Sequence, residues 1–155
     1  VEIAENTRVR VVRSMIAEGD VAGAGAALGR PHRLTGVVAH GDDRGRELGF
    51  PTANLDLRAG RACPADGVYA GGMGTTGGSW GKAAISVGTN PTFDGADRRV
   101  ESFAVDVGDE LDLYGHTVDV DLVSRLRPML RTDSVTALVA QMADDVERTR
   151  GLLTS

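Results

Sequence analysis

The chain has 155 residues, 41% hydrophobic and 25% charged, a size and balance that support one domain with a true core and exclude intrinsic disorder. Its formal net charge of −5 removes the electrostatic footprint of general nucleic-acid binding, so any anion held here must be held by a local pocket. Glycine supplies 21 residues and aromatics only 4%, which predicts a core of Val, Leu, Ile and Ala between many tight turns.

Residues 1–29 read as helical. Val12, Met15 and Ile16 recur at helix spacing, Gly19-Asp20 offers a break and an N-cap before Val21–Leu28, and Gly29 suits a C-terminal stop. After Pro31 the text changes to short β-like runs: Leu34–His40, Thr52–Leu57, Val68–Gly71, Trp80–Val87, Arg99–Val107 and Thr117–Leu126. Six short strands in one small domain suggest a closed barrel, because closure removes the exposed edges. From Asp133 the period returns to helical, with Val135, Leu138, Val139, Met142, Val146 and Leu153 on one stripe and Asp144, Asp145, Glu147, Arg148 and Arg150 elsewhere. That stripe predicts an amphipathic helix packed on the barrel.

The single cysteine, Cys63, permits no internal disulfide and fits a reducing, cytoplasmic setting. No apolar run has the length of a membrane span, and Val1–Arg10 lacks the features of a signal peptide, so neither a membrane nor a nucleic-acid partner is expected. An opening on Val1 fits a piece of a longer polypeptide or a processed chain.

Several motifs carry chemistry only in part. Gly72-Met73-Gly74-Thr75-Thr76-Gly77 matches G-x-G-x-x-G, but the text after it reads as a strand where a dinucleotide site needs a helix, so Gly71–Gly78 is expected to be a hairpin loop. His32, His40 and His116 are scattered without a zinc spacing and read as surface or strand-end residues. In His40–Leu55, by contrast, Gly41, Gly45 and Gly49 share a loop with Arg44 and Arg46, so backbone N–H groups and guanidinium groups can converge on a phosphate. After Pro51, alternation puts Thr52, Asn54 and Asp56 on one face, where a hydroxyl and an amide oxygen can share Mg²⁺ with phosphate oxygens, or can simply form the polar face of an ordinary strand. In Arg99–Val105, alternation places Glu101 with Phe103 and Val105, the more apolar face, so a core-side carboxylate with a raised pKa is expected. Such a group is a base for an alcohol nucleophile; the alternative is a rim carboxylate paired with Arg98 or Arg99.

Five blocks, in order, resemble the riboflavin kinase family, in particular the kinase module of bacterial bifunctional riboflavin kinase/FAD synthetases. They are Gly45–Asn54 (GRELGFPTAN), Pro64–Ala70 (PADGVYA), Ile85–Phe93 (ISVGTNPTF), Val100–Phe103 (VESF) and Asp112–Gly115 (DLYG). The resemblance implies a mainly β fold, a six-stranded Greek-key barrel with a C-terminal helix, over residues 31–155. Residues 1–30 form a helical lead-in resembling the end of an adenylyltransferase module, which implies such a module linked upstream in a full-length protein. The implied reaction is transfer of the ATP γ-phosphoryl group to the 5′-hydroxyl of riboflavin, giving FMN, with Mg²⁺ as cofactor. Carried over, Glu101 is the general base; Thr52 and Asn54 hold the metal and nucleotide; Gly41, Arg44, Gly45, Arg46, Gly49, Phe50, Pro51 and Asn90 belong with the nucleotide. Arg127, Met129 and Leu130 belong with the flavin. Family members commonly continue the Arg-Pro with an acidic residue, a lysine and a phenylalanine, where this chain has Met129, Leu130, Arg131 and Thr132. Two other readings are a non-catalytic flavin- or nucleotide-binding regulatory module and a kinase for a different small alcohol, both on the same barrel.

Overall fold

A computed structural model describes residues 2–39, 53–57, 63–75, 80–92, 95–105, 115–129 and 134–152. Two helices open the chain, α1 (Glu2–Glu18) and α2 (Val21–Leu28). Asp20 caps α2 as its position implies, its Oδ1 accepting from the Gly23 N–H at 2.9 Å. Gly29 ends the helix at φ 77°, in the left-handed region that a side chain would disfavour. Val12, Ile16 and Ala24 bury a small cluster between the helices, while Val21 joins the barrel core.

Six strands follow: β1 (His32–Ala39), β2 (Ala53–Leu57), β3 (Gly67–Thr75), β4 (Trp80–Thr92), β5 (Gly95–Ala104) and β6 (Thr117–Arg127). All neighbours are antiparallel and the sheet closes in the order β1-β2-β5-β4-β3-β6. Consecutive β3, β4 and β5 form hairpins and β2 returns beside β5, which is a Greek key. The C-terminal helix α3 (Val135–Leu152) packs outside on β3 and β4.

The core lies inside the barrel and is almost wholly aliphatic, with Leu34, Ile85, Val87, Val100, Val118, Val120 and Leu122 at 0–1% exposure. Its large aromatic among the described residues, Tyr69, donates its hydroxyl to the Ala65 carbonyl at 2.5 Å, so the ring is buried with its polar atom satisfied. A second cluster, Val68, Ala70 and Leu126, lies on the opposite face of the wall. Leu126 reaches it because β6 slips register against β3 between Val68 and Tyr69.

Two expectations need correction. The glycine-rich segment is not a loop from Gly71 onward: β3 continues through Thr75, and Gly72 lies against the Trp80 ring, where an added Cβ would stand 3.5 Å from Cε3. Strand pairing on both sides outweighs glycine's weak β preference here. The buried positions of α3 are Thr149 and Asp145, the latter placed off the apolar stripe by the sequence, while Val135 of the stripe is 52% exposed.

Outside the barrel, Arg33 donates from Nε and Nη2 to Asp121 at 2.8 and 3.1 Å, and its guanidinium stacks 4.7 Å from the centre of the Trp80 ring. The hydrogen bond to Asp121 raises the pKa of Arg33 above its ordinary value. Inside, Ser102 is 1% exposed and its Oγ has no hydrogen-bond partner among the described residues. An unpaired buried hydroxyl costs stability, so Ser102→Ala should raise unfolding free energy by about 1 kcal/mol. A urea titration checks this, and a loss of stability would show that the hydroxyl has a partner.

Candidate active site on the outer wall of the barrel

Alternation along β5 buries Val100 and Ser102 at 1% each, so the core face of that strand is the face opposite Glu101. The expectation that Glu101 faces the core is therefore corrected: Glu101 and Phe103 are half-buried on the outer wall. Apolarity misleads here because the barrel interior accepts the small Ser102, whereas part of the outer wall is itself covered.

Register then assembles a row. Asn54 on β2 pairs with Glu101 on β5, Glu101 pairs with Ser86 on β4, Ser86 with Val68 on β3, and Val68 with Arg127 on β6. Directly paired residues share a face, so Asn54, Glu101 and Ser86 stand side by side on the outer wall, all half-buried. Ser86 and Glu101 face each other across the β4–β5 hairpin. The non-local pairing of β2 with β5 brings Asn54 beside them.

Past the end of β6, Met129 lies over this row. Its Sδ is 3.8 Å from the Ser86 Oγ, and a Cβ added to Gly88 would stand 3.6 Å from its Cε. Met129 is nonetheless 47% exposed, so it offers a polarisable apolar surface beside Glu101. Arg127 stands at the α3 end of the row, where its Nε and Nη2 donate to Asp145 Oδ1 and Oδ2 at 2.8 and 2.7 Å. The adjoining Arg125 donates to the Asp66 carbonyl at 2.6 Å, and Asp66 Oδ1 accepts from Thr89 at 2.8 Å. This fixes the Pro64–Ala70 block against β4.

Of the sequence-assigned residues, Glu101, Asn54, Met129 and Arg127 thus fall on one wall. Asn90 lies in β4, paired with Asp97, and its side chain is outside the described set. Gly41, Arg44, Gly45, Arg46, Gly49, Phe50, Pro51, Thr52 and Leu130 lie outside the described residues. Sequence reading missed Ser86 and Asp145. Ser86 was legible as the outward residue between buried Ile85 and Val87, whereas nothing local marks Asp145 as buried.

Fold and site together define a small closed antiparallel barrel that carries its polar row outside, beside a C-terminal helix, and keeps its interior for packing. A family model described as riboflavin kinase matches residues 28–153. The bifunctional riboflavin kinase/FMN adenylyltransferase of Escherichia coli K12 is 38% identical over 134 residues, 86% of this chain and 42% of the relative. A solved Streptococcus pneumoniae structure described as a macrolide-efflux protein superposes with TM-score 0.84 at 43% identity, covering 91% of this chain and 45% of that one. The riboflavin kinase of Trypanosoma brucei superposes with TM-score 0.58 at 27% identity, over 79% of this chain and 80% of that one. The chain belongs to the riboflavin kinase family. It spans less than half the length of the curated relatives, and among its described residues no helix is long and apolar enough to cross a membrane.

Proposed function

We propose that the chain phosphorylates riboflavin at its 5′-hydroxyl, using ATP and releasing FMN and ADP. The observation that carries this reading is the pairing of Glu101 with Asn54 on an open wall, in a chain of this family. Glu101 accepts the hydroxyl proton as the new O–P bond forms and the bond from the γ-phosphorus to the β,γ-bridging oxygen breaks. The wall needs no covalent intermediate; it needs to hold a hydroxyl and a phosphoryl group in line.

Asn54 offers a neutral amide oxygen next to the Glu101 carboxylate, a hard donor set of the kind Mg²⁺ shares with phosphate oxygens and water. Thr52 and Asn54 would hold the ion, which when bound neutralises phosphate charge. The nucleotide side takes the loop from Gly41 to Gly49 with Arg44 and Arg46, then Phe50, Pro51 and Asn90. The flavin side takes Met129 and Leu130, with Arg127. We also propose that residues 1–30 are the tail of a linked adenylyltransferase module, and that the single Cys63 keeps the protein suited to the reducing cytoplasm.

The test is a reaction of the purified 155-residue chain with ATP, Mg²⁺ and riboflavin, read by mass spectrometry. FMN is expected without FAD. Unchanged riboflavin beside ATP binding would favour a non-catalytic module, and FAD would overturn the assignment of the chain to the kinase reaction alone.

A further inference from the structure

We infer that Asp145 is a positioning residue for the flavin side of the site: by gripping Arg127 it fixes where Met129 stands over Ser86, beside Glu101. Arg127 then serves the site as a strut rather than through its own contact with the flavin. The inference rests on the riboflavin kinase reading for its ligand and on the geometry for its mechanism.

Asp145 lies on the barrel-facing side of α3 with its side chain 6% exposed, against 13% for Arg127. Both carboxylate oxygens are engaged by the guanidinium fork, at 2.8 and 2.7 Å, and Oδ1 also accepts from Gln141 Nε2 at 3.3 Å. The Asp145 carbonyl accepts from the fully buried Thr149 hydroxyl at 2.8 Å, which ties that turn of the helix. The remaining guanidinium nitrogen, Nη1, donates to the Pro128 carbonyl at 3.2 Å. Each of the three nitrogens of Arg127 therefore has a protein acceptor, using three of its five N–H groups, so the direction of the fork is set by the protein.

Removing two charges from water costs most of what their attraction returns, so a pair this buried is weak evidence of stabilisation. Its specific product is orientation. A bidentate fork fixes the plane and direction of the guanidinium in a way a single contact does not. Arg127 is the last residue of β6, and Pro128 fixes its own φ, so only a short, stiff path separates the anchored residue from Met129. That path lays the Met129 thioether on Ser86 and Gly88, one strand from Glu101. A flat apolar ring resting on Met129 thus has its distance from Glu101 set by Asp145.

The experiment is a double-mutant cycle of Asp145→Asn and Arg127→Lys, with kcat and both KM values measured and with methyl-¹³C-methionine spectra of the unliganded proteins. Asp145→Asn should raise KM for riboflavin by about tenfold, with kcat and KM for ATP within about twofold, and Arg127→Lys should add little to it. The Met129 methyl resonance should move in both variants while that of Met73, buried inside the barrel, stays. An unmoved Met129 resonance with unchanged riboflavin KM in Asp145→Asn overturns the inference, as does a full additional loss from Arg127→Lys, which would mean that Arg127 meets the flavin directly. If Asp145→Asn does not fold, Asp145→Glu, which keeps the charge and lengthens the arm, carries the same expectations. Absence of riboflavin turnover by the wild-type chain would overturn the kinase reading instead, and the Met129 resonance would then decide the strut by itself.

Discussion

Glu101→Gln should lower kcat by roughly a hundredfold to ten-thousandfold, the usual worth of a positioned general base. Both substrates should still bind, and the melting temperature should hold. An alcohol is a poor nucleophile at neutral pH, and a carboxylate within reach takes its proton as the bond to phosphorus forms. Glutamine keeps the shape and hydrogen-bonding reach of the side chain and removes that basicity. The fold should persist because Glu101 stands on the outer wall, half-buried, while the core of β5 is carried by Val100 and Ser102. Steady-state kinetics with a thermal melt decide the matter. Retained kcat with a much lower melting temperature would make Glu101 a structural carboxylate and remove the base from the mechanism.

Gly71→Ala should be the most damaging single methyl in the barrel. Gly71 sits where β3 crosses closest to β6, beside the second register shift of that pair, and an added Cβ would lie 1.7 Å from the Asp121 carbonyl oxygen and 3.1 Å from Ile85 Cδ1. The clash is with backbone. β6 cannot retreat without losing its ladder to β1, which runs from His32↔Leu122 to Val37↔Thr117. Overpacking of this kind costs about 3 kcal/mol or more, since no side chain can swing aside. For a chain of this size that is a fall of roughly 6–12 °C in Tm. Gly81→Ala is the control, because a Cβ there meets nothing within 4 Å, and it should change stability by less than about 0.5 kcal/mol. Equal behaviour of the two variants in urea and heat would show that β6 can shift, and that the close approach does not constrain the barrel.

How much of this was legible beforehand differs between elements. The cap at Asp20, the stop at Gly29 and the strand cores of β1 and β6 follow from local chemistry, and the structure reproduces them closely at each end. β3, β4 and β5 drifted further, β4 running on past Val87 to Thr92. The glycines that made Gly71–Thr75 look like a loop are tolerated because partners on both sides supply the hydrogen bonds, and β5 begins at Gly95 through pairing with the end of β4. Within the site, Glu101 and Asn54 stood out as oddities of pattern, yet their adjacency did not.

The sequence by itself determined which segments alternate, where helices begin and end, and the ordered blocks that mark the family, because these depend on neighbours a few residues away. It also determined that residues 100 and 102 share one face of β5 and residue 101 the other. Only the tertiary structure decided which of those faces is the inside. Alternation defines two faces without labelling them, and in a barrel partly covered by a helix both carry apolar residues, so Phe103 outside and Ser102 inside reverse the simple rule. The burial of Asp145 was decided in the same way: a carboxylate enters an apolar interface only when a partner with matching geometry is already there, and that partner, Arg127, is brought to the same outer face by the pairing of β6 with β3.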